Sequence, residues 1–334
     1  EVPRMSNLKD VSKMANVTVS TVSRYLSGEL KVRKDTEERI LYAIKELDYR
    51  PNYIARALKM KQTHTVGVIV PQSTNPLFAE IVAGIYSVLS ENNYAYIQMS
   101  SENDLKREES CFSLMLEKQV DGLITIGSAS TEDPFVHWQR IYQQHNIPMT
   151  FINRLYDHGN LVGVRADFEG GACQAVEHLL SRGRKKSGLI SGIPGLEESR
   201  IKERGYFRGL EKHGICADRA LIVPGFYHYD EGKYAAERLF KEQKPDAILA
   251  MNDLSAIGAL SCAHKMGLRV PEDVAIIGYG NSEASAFTTP ALTTIDQEKI
   301  LSGQSGARML LQMIEGKPVA SETIATKLIL RDST

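Results

Sequence analysis

Ser20, Thr21, Ser23 and Arg24 lie within "TVSTVSRYLSG", residues 18–28. Val19, Val22 and Leu26 recur there at intervals of three and four, the spacing of a short helix with one apolar face. The opposite face carries small hydroxyls and one long cation, where a helix that only packs more usually shows Glu and Lys. Such a face suits close approach to a partner. Short side chains let the backbone come near, and a guanidinium makes two parallel hydrogen bonds to a guanine edge.

The flanking residues must hold that face in place. Leu8, Val11 and Ala15 form the stripe of a preceding helix, and Asn16-Val17 supplies the turn, with Asn suited to a left-handed backbone. Thr18 is placed to cap the second helix and Gly28 to end it. A third helix is predicted from about Asp35 to Leu47, capped by Asp35, with Ile40, Ile44 and Leu47 facing inward. Three short helices make a small core, enough for a helix-turn-helix. In such a unit the second helix enters the major groove, with Thr18, Val19 and Ser20 at its leading end. Periodicity alone fits a helical hairpin with a solvated polar face equally well.

"LKDVSKMANVTVSTVSRYLSG", followed by "TEERILYAIKELDYRPNYIARALK", resembles the N-terminus of the lactose/galactose-repressor (LacI/GalR) family of bacterial transcription regulators. The match runs without a gap for about sixty residues and continues more loosely to about residue 330. The resemblance implies DNA contacts from Thr18, Val19, Ser20, Thr21, Ser23 and Arg24.

The segment "YRPNYIARALKMKQTHT", residues 49–65, separates this head from the rest. Pro51 blocks a continuous helix, Asn52 can cap a new one, and Ile54, Ala55, Ala57 and Leu58 give barely two turns. A helix that short is marginal in water and is expected to fold on binding. The resemblance implies a hinge helix that pairs with a second copy in the minor groove, through Asn52, Ala55 and Leu58, with Leu58 wedged between central base pairs. Without it, a flexible tether, with Leu58 docking on the body, is the favoured reading.

Charge supports the division. Residues 1–64 hold 13 Lys and Arg against 8 Asp and Glu, whereas the remainder holds 27 against 33, within a net charge of −1 over 334 residues. A basic head on an acidic body suggests that the head alone meets a polyanion. No apolar run approaches the length that spans a bilayer, and "EVPRM" shows no secretory pattern, so a cytoplasmic protein with no membrane partner is expected. Cys111, Cys173, Cys216 and Cys262 show no metal-ligand spacing and read as buried, reduced thiols; no metal or cofactor is expected.

From Thr65 onward, apolar runs alternate with helical segments: residues 66–71, 95–100, 121–127, 147–153, 162–167, 186–192, 220–225, 246–253 and 274–280. Continuous apolar strands separated by helices indicate doubly wound parallel sheets, and two such series indicate two lobes. The expected class is an all-α helix-turn-helix head on an α/β body of type I periplasmic-binding-protein architecture. Expected boundaries are 5–50 for the head, 51–64 for the hinge and linker, and 65–334 for the effector-binding and dimerisation body. Lobe 1 is read as about 65–158 plus 292–317, and lobe 2 as about 162–289 plus 320–331, with crossings near 155–161, 287–292 and 316–320. No GxGxxG follows the first strand and no P-loop occurs, against a dinucleotide or nucleotide enzyme.

In such sheets ligands bind beyond the C-terminal strand ends, so two lobes share a cleft. Arg154 ends the strand of "FINR", and Asn252-Asp253 ends another ahead of a helix, where a carboxylate can take two sugar hydroxyls. Gln297 lies on a strand-to-helix turn that crosses between lobes. The resemblance implies effector contacts at Ser73, Leu77 and Phe78, at Tyr227 and at Asp253; Phe78 reads equally as core, since Ile81 and Ile85 continue its helical face. The family's "RxxGYxxAL" becomes "KERGYFRGL", so Lys202 stands at the effector arginine, with Arg200 or Arg204 as possible substitutes. The usual Phe-Asp after "IG" becomes Tyr279-Gly280-Asn281, and the usual Asp-Asn near 167 becomes Asp167-Phe168.

The resulting expectation is a homodimeric, non-enzymatic repressor of a carbohydrate-utilisation operon. It binds pseudo-palindromic double-stranded operator DNA and is controlled by a small polar effector, a sugar or sugar derivative. The alternatives are a soluble sugar-binding protein or a regulator that depends on a co-repressor.

Overall fold

Alternation of short amphipathic helices with apolar strands resolves into two compact units, residues 1–63 and 64–334, in a computed structural model of the chain. The structure describes residues 6–26, 29–49, 62–127, 135–156 and 161–334. Gly28 and the hinge residues Asn52, Ala55 and Leu58 lie outside the described residues.

In the first unit, helix α1 (Leu8–Met14) starts at a capping box in which Asn7 accepts from the Asp10 N–H and Asp10 from the Asn7 N–H. Asn16 adopts φ 51° at the turn, and the Thr21 N–H donates to Thr18 Oγ1 at 3.1 Å, capping α2 (Val19–Leu26). Helix α3 (Lys34–Glu46) begins one residue before its predicted start. Its N-cap is Arg33, without a side-chain cap; Asp35 lies inside the first turn and pairs with Arg39 at 3.6 Å. Val11, Ala15, Val22, Ile40, Ala43 and Tyr49 form the core. Val19 departs from the predicted apolar stripe: it is 38% exposed, whereas Val22, three residues on, is buried in the core.

The second unit runs β1 (Thr65–Val70), α4 (Pro76–Glu91), β2 (Ala95–Ser100), α5 (Leu105–Glu117), β3 (Gly122–Ile126), α6 (Phe135–His145), β4 (Met149–Ile152) and β5 (Val162–Ala166). It continues with α7 (Phe168–Ser181), β6 (Ser187–Ser191), α8 (Glu197–Glu211), β7 (Ile222–Pro224), α9 (Tyr229–Arg238), β8 (Ala247–Ala250), α10 (Asp253–Lys265) and β9 (Ala275–Tyr279). It closes with α11 (Glu283–Ala286), β10 (Thr293–Asp296), α12 (Lys299–Ile314), β11 (Glu322–Ile324) and β12 (Lys327–Ile329). The nine predicted apolar runs all form strands. The short β11 and β12 were not anticipated, because three-residue strands carry too little periodicity to register.

Two six-stranded sheets form, ordered β11-β5-β4-β3-β1-β2 and β12-β10-β9-β8-β6-β7. Their paired strands are parallel except β10 with β12. Three lobe assignments require correction. Strand β11, read with the second lobe, pairs with β5, Glu322 opposite Val164, in the first sheet. Strand β5 pairs with β4, Thr150 opposite Val162, and so belongs to the first lobe. Strand β10 pairs with β9, Thr293 opposite Ile277, and so belongs to the second. The chain therefore crosses at Asp167, between Asp296 and Lys299, and between Ile324 and Lys327, each time later than predicted. The reason is ladder hydrogen bonding: a strand stays with the sheet that satisfies its backbone, and the chain leaves only at the strand's C-terminal end. All three crossings thus gather where ligands bind in open parallel sheets. Two of them are stitched together, the Asp167 N–H donating to Ile324 O at 2.7 Å.

Among the described residues, no helix is long and apolar enough to cross a membrane, and no group of three or more His, Cys, Asp and Glu could hold a metal ion. Cys111, Cys173 and Cys262 are buried, but Cys216 is exposed because it lies in the polar turn after α8.

Candidate functional site

On the head, Val22 anchors α2 to the core while Thr18, Val19, Ser20 and Arg24 are exposed. Thr21 and Ser23 are half-buried. The hydroxyls interlock: Thr18 Oγ1 lies 2.9 Å from Ser20 Oγ and 2.8 Å from Thr21 Oγ1. Arg24 Nε reaches Glu29 at 3.9 Å, and both side chains stay about half exposed. A loose pair of that kind contributes little. Behind the face, the Tyr25 hydroxyl donates to Glu37 at 2.8 Å; that bond, reinforced by burial and the Glu37 charge, holds the phenol above its ordinary pKa.

In the second unit a cavity of about 1040 Å³ separates the lobes. Leu77, Phe78, Arg154, Lys202, Tyr227, Asp253 and Gln297 all line it. Ser73 does not; it is exposed, and its neighbours Gln72 and Thr74 face the cavity instead. Leu77 and Phe78 begin α4, capped by Asn75, and also pack on the first lobe's core, so the two readings of Phe78 describe one residue with two faces. Arg154 follows β4, is 7% exposed, and donates to the Tyr156 hydroxyl at 3.4 Å.

Lys202 is 1% exposed. Its ammonium donates to Glu198 at 2.6 Å and to the Met251 carbonyl at 3.1 Å. The rings of Tyr279, Phe168 and Tyr227 surround it at 4.2, 5.1 and 5.4 Å from their centres. A cation buried this deeply needs an anionic partner and aromatic faces, and here it has both. Of the two proposed substitutes, Arg200 lines the cleft, while Arg204 is turned toward Glu169 at 3.4 Å.

Tyr227 is held by backbone that bulky residues rarely adopt, with φ 51° at Phe226 and 64° at Tyr227. The Asn252 amide donates to the Tyr227 carbonyl at 2.8 Å, and Ser199 Oγ lies 3.0 Å from its hydroxyl. Gly192 makes the room: a Cβ there would sit 2.3 Å from the Tyr227 ring. Burial, with the Glu198 charge beside it, pushes the Tyr227 phenol well above its ordinary pKa.

Asp253 is 3% exposed, and both carboxylate oxygens are engaged. Oδ1 accepts from Thr294 Oγ1 at 2.5 Å and Oδ2 from the Ser282 N–H at 2.6 Å. Asn252, not Asp253, caps α10, accepting from the Ser255 N–H at 3.0 Å. Gln297 is buried on the crossing after β10. Beside it Gly280, at φ 130°, leaves the wall without a side chain.

Sequence reasoning missed Glu80, Glu198, Ser282 and Lys299, which also line the cleft. Lys299 had one readable signal, its position two residues after Gln297 on a crossing. Glu198 was one charge among several on a polar helix.

Residues 7–52 match the family of bacterial regulatory proteins called lacI, and residues 176–334 match a periplasmic binding protein-like domain. The HTH-type transcriptional repressor PurR of Aliivibrio salmonicida is 33% identical over 316 residues, covering 94% of this chain and 93% of that protein. The chain belongs to the lacI family of bacterial regulatory proteins. It is therefore a DNA-binding repressor with an effector-binding body. Another lacI-family relative, the ribose operon repressor of Halalkalibacterium halodurans, is 32% identical over 333 residues, covering 99% of this chain and 97% of its own. Among solved structures, the lac repressor dimer bound to operator and the anti-inducer ONPF matches at TM-score 0.88 and 26% identity, covering 99% of each chain. A transcriptional regulator CelR–cellobiose complex matches at TM-score 0.74 and 28% identity, covering 98% of this chain and 100% of that one.

Proposed function

We propose that this protein is a homodimeric repressor of a carbohydrate-utilisation operon, released from a pseudo-palindromic operator by a sugar or sugar derivative bound between the lobes. Each head reads a half-site through Thr18, Val19, Ser20, Thr21, Ser23 and Arg24. Two-fold symmetry of the dimer sets the symmetry of the site. Paired hinge helices, with contacts from Asn52, Ala55 and Leu58, bend its centre.

The observation that carries this reading is the cleft lining, which combines the aromatic side chains of Tyr227 and Phe78 with the hydrogen-bonding groups of Arg154, Gln297 and Ser282. Aromatic faces stack on the C–H surface of a sugar ring, while polar groups take its hydroxyls. The cellobiose complex of a relative is consistent with it. With Asp253 engaged inside the second lobe, its part is to shape the wall and hold Ser282, while Leu77, Arg154, Tyr227 and Gln297 face the ligand. Lys202 fixes Tyr227 and Glu198 in place.

Effector binding closes the cleft and shifts the first lobes, which costs the hinge helices their register. Coupling of this kind amounts to about 1–3 kcal/mol and is reciprocal, so operator weakens effector by the same factor. The test has two stages. Genomic fragments retained by the full chain identify the operator by footprinting, and operator affinity is then titrated with monosaccharides, disaccharides, sugar phosphates and nucleobases. Release by a sugar is the expected result. Release by a nucleobase, or tighter binding with any of them, overturns the sugar-induced reading.

A further inference from the structure

Lys299 opens α12 where the chain crosses from the second lobe back to the first. It is 5% exposed, and its ammonium makes two bonds. One runs to Glu80 Oε1 at 2.7 Å, on α4 of the first lobe. The other runs to the carbonyl of Asn281 at 3.1 Å, just after β9 of the second lobe. One cation thus bridges two bodies at the wall of the cleft.

The second-lobe anchor is rigidly held. The Asn281 amide donates to Asp296 at 2.9 Å, its Oδ1 accepts from Arg331 at 2.7 Å, and its N–H donates to the Thr294 hydroxyl at 3.2 Å. The first-lobe anchor is softer, with the Glu80 side chain 39% exposed. The next residue along, Ser282, buries a hydroxyl with no hydrogen-bond partner among the described residues, and it lines the same cleft. The bridge therefore adjoins a wall with unused hydrogen-bonding capacity. A buried ammonium with a single carboxylate partner is bound tightly to it, since losing that partner leaves the charge in a low dielectric.

We propose that Lys299 is a positioning residue that sets the angle between the lobes, acting as a strap from Asn281 to Glu80. The inference deepens the effector reading, on which the cleft's role rests. The strap is tested without effector or DNA, so either can fail alone.

The experiment is single-molecule energy transfer in the full chain, diluted with unlabelled chain so that each signal arises within one protomer. One dye sits on the exposed Cys216 of the second lobe and the other on Glu91→Cys at the exposed end of α4. Glu80→Gln and Lys299→Met are expected to shift the transfer-efficiency distribution in the same direction, or to add a second population, and the double variant to move it no further than either single one. Lys299→Arg is expected to keep the parent distribution. If Lys299→Met does not fold, Glu80→Gln alone decides, because its half-exposed site tolerates the isostere. A Glu80→Gln distribution that coincides with the parent overturns the strap and leaves the pair as a local stitch between α4 and α12.

Discussion

The ammonium of Lys202 lies 2.6 Å from the carboxylate of Glu198, and the centre of the Tyr279 ring is 4.2 Å away. The most buried cation among the described residues of the cleft is therefore engaged by the protein itself. A lysine at this position is not a weaker arginine offered to a ligand, because its donors point inward and its charge is balanced. Lys202→Met is expected to lower the stability of the body by about 1–3 kcal/mol, less than for a fully enclosed pair because the Glu198 side chain remains 28% exposed. Urea denaturation followed by circular dichroism measures it. An unchanged midpoint contradicts the role given to this ion pair.

Arg24 is exposed and pairs with Glu29 only at 3.9 Å, an ion pair that itself contributes little to the fold. Arg24→Ala is expected to weaken specific operator binding by about 1–3 kcal/mol while non-specific binding changes much less. Gel-shift titrations at one fixed salt concentration, against operator and scrambled duplexes, separate the two. Equal losses on both duplexes make Arg24 a phosphate contact.

Both Asp253 oxygens are bonded within the second lobe. Truncation strands the Thr294 hydroxyl and the Ser282 N–H in a buried site. Asp253→Ala is therefore expected to destabilise the body by about 2–4 kcal/mol. A variant as stable as the parent, checked by thermal unfolding, would show instead that the carboxylate serves the ligand alone.

Glu108, on α5, is 3% exposed, and burial pushes its carboxyl up to about 7, against the opposing pull of Arg154. The folded protein holds this proton more tightly than the unfolded chain does. Its contribution is thus fully present below the unfolded carboxylate range and is lost as pH rises toward 7. Stability is expected to fall by about 3 kcal/mol across that window, at about 1.4 kcal/mol per pKa unit. Glu108→Gln is expected to flatten the slope. Urea midpoints at pH 5, 6, 7 and 8 compare the two, and parallel profiles would assign the slope to other groups.

Local pattern alone determined much of this protein. The spacing of Val11, Ala15, Val22 and Ile40 dictated the head, and Asn16 and Thr18 marked its turn and cap. The nine apolar runs specified parallel strands, because a strand buried on both faces must be apolar along its length. Sites at strand ends followed, and Arg154, Tyr227 and Gln297 do meet in one cleft. The tertiary structure decided the rest. Nothing in "VGVRA" states which sheet will claim it, since both offer the same backbone hydrogen bonds; pairing with β4 did so. Nothing in "KERGY" reveals that Lys202 meets Glu198 one turn away and three rings from elsewhere in the chain. Lys299, Glu80 and Asn281 are separated by up to 219 positions in sequence and joined by one ammonium. Periodicity reports a residue's relation to its own element. The partner that neutralises a buried charge comes from another element, and only the packed fold brings the two together.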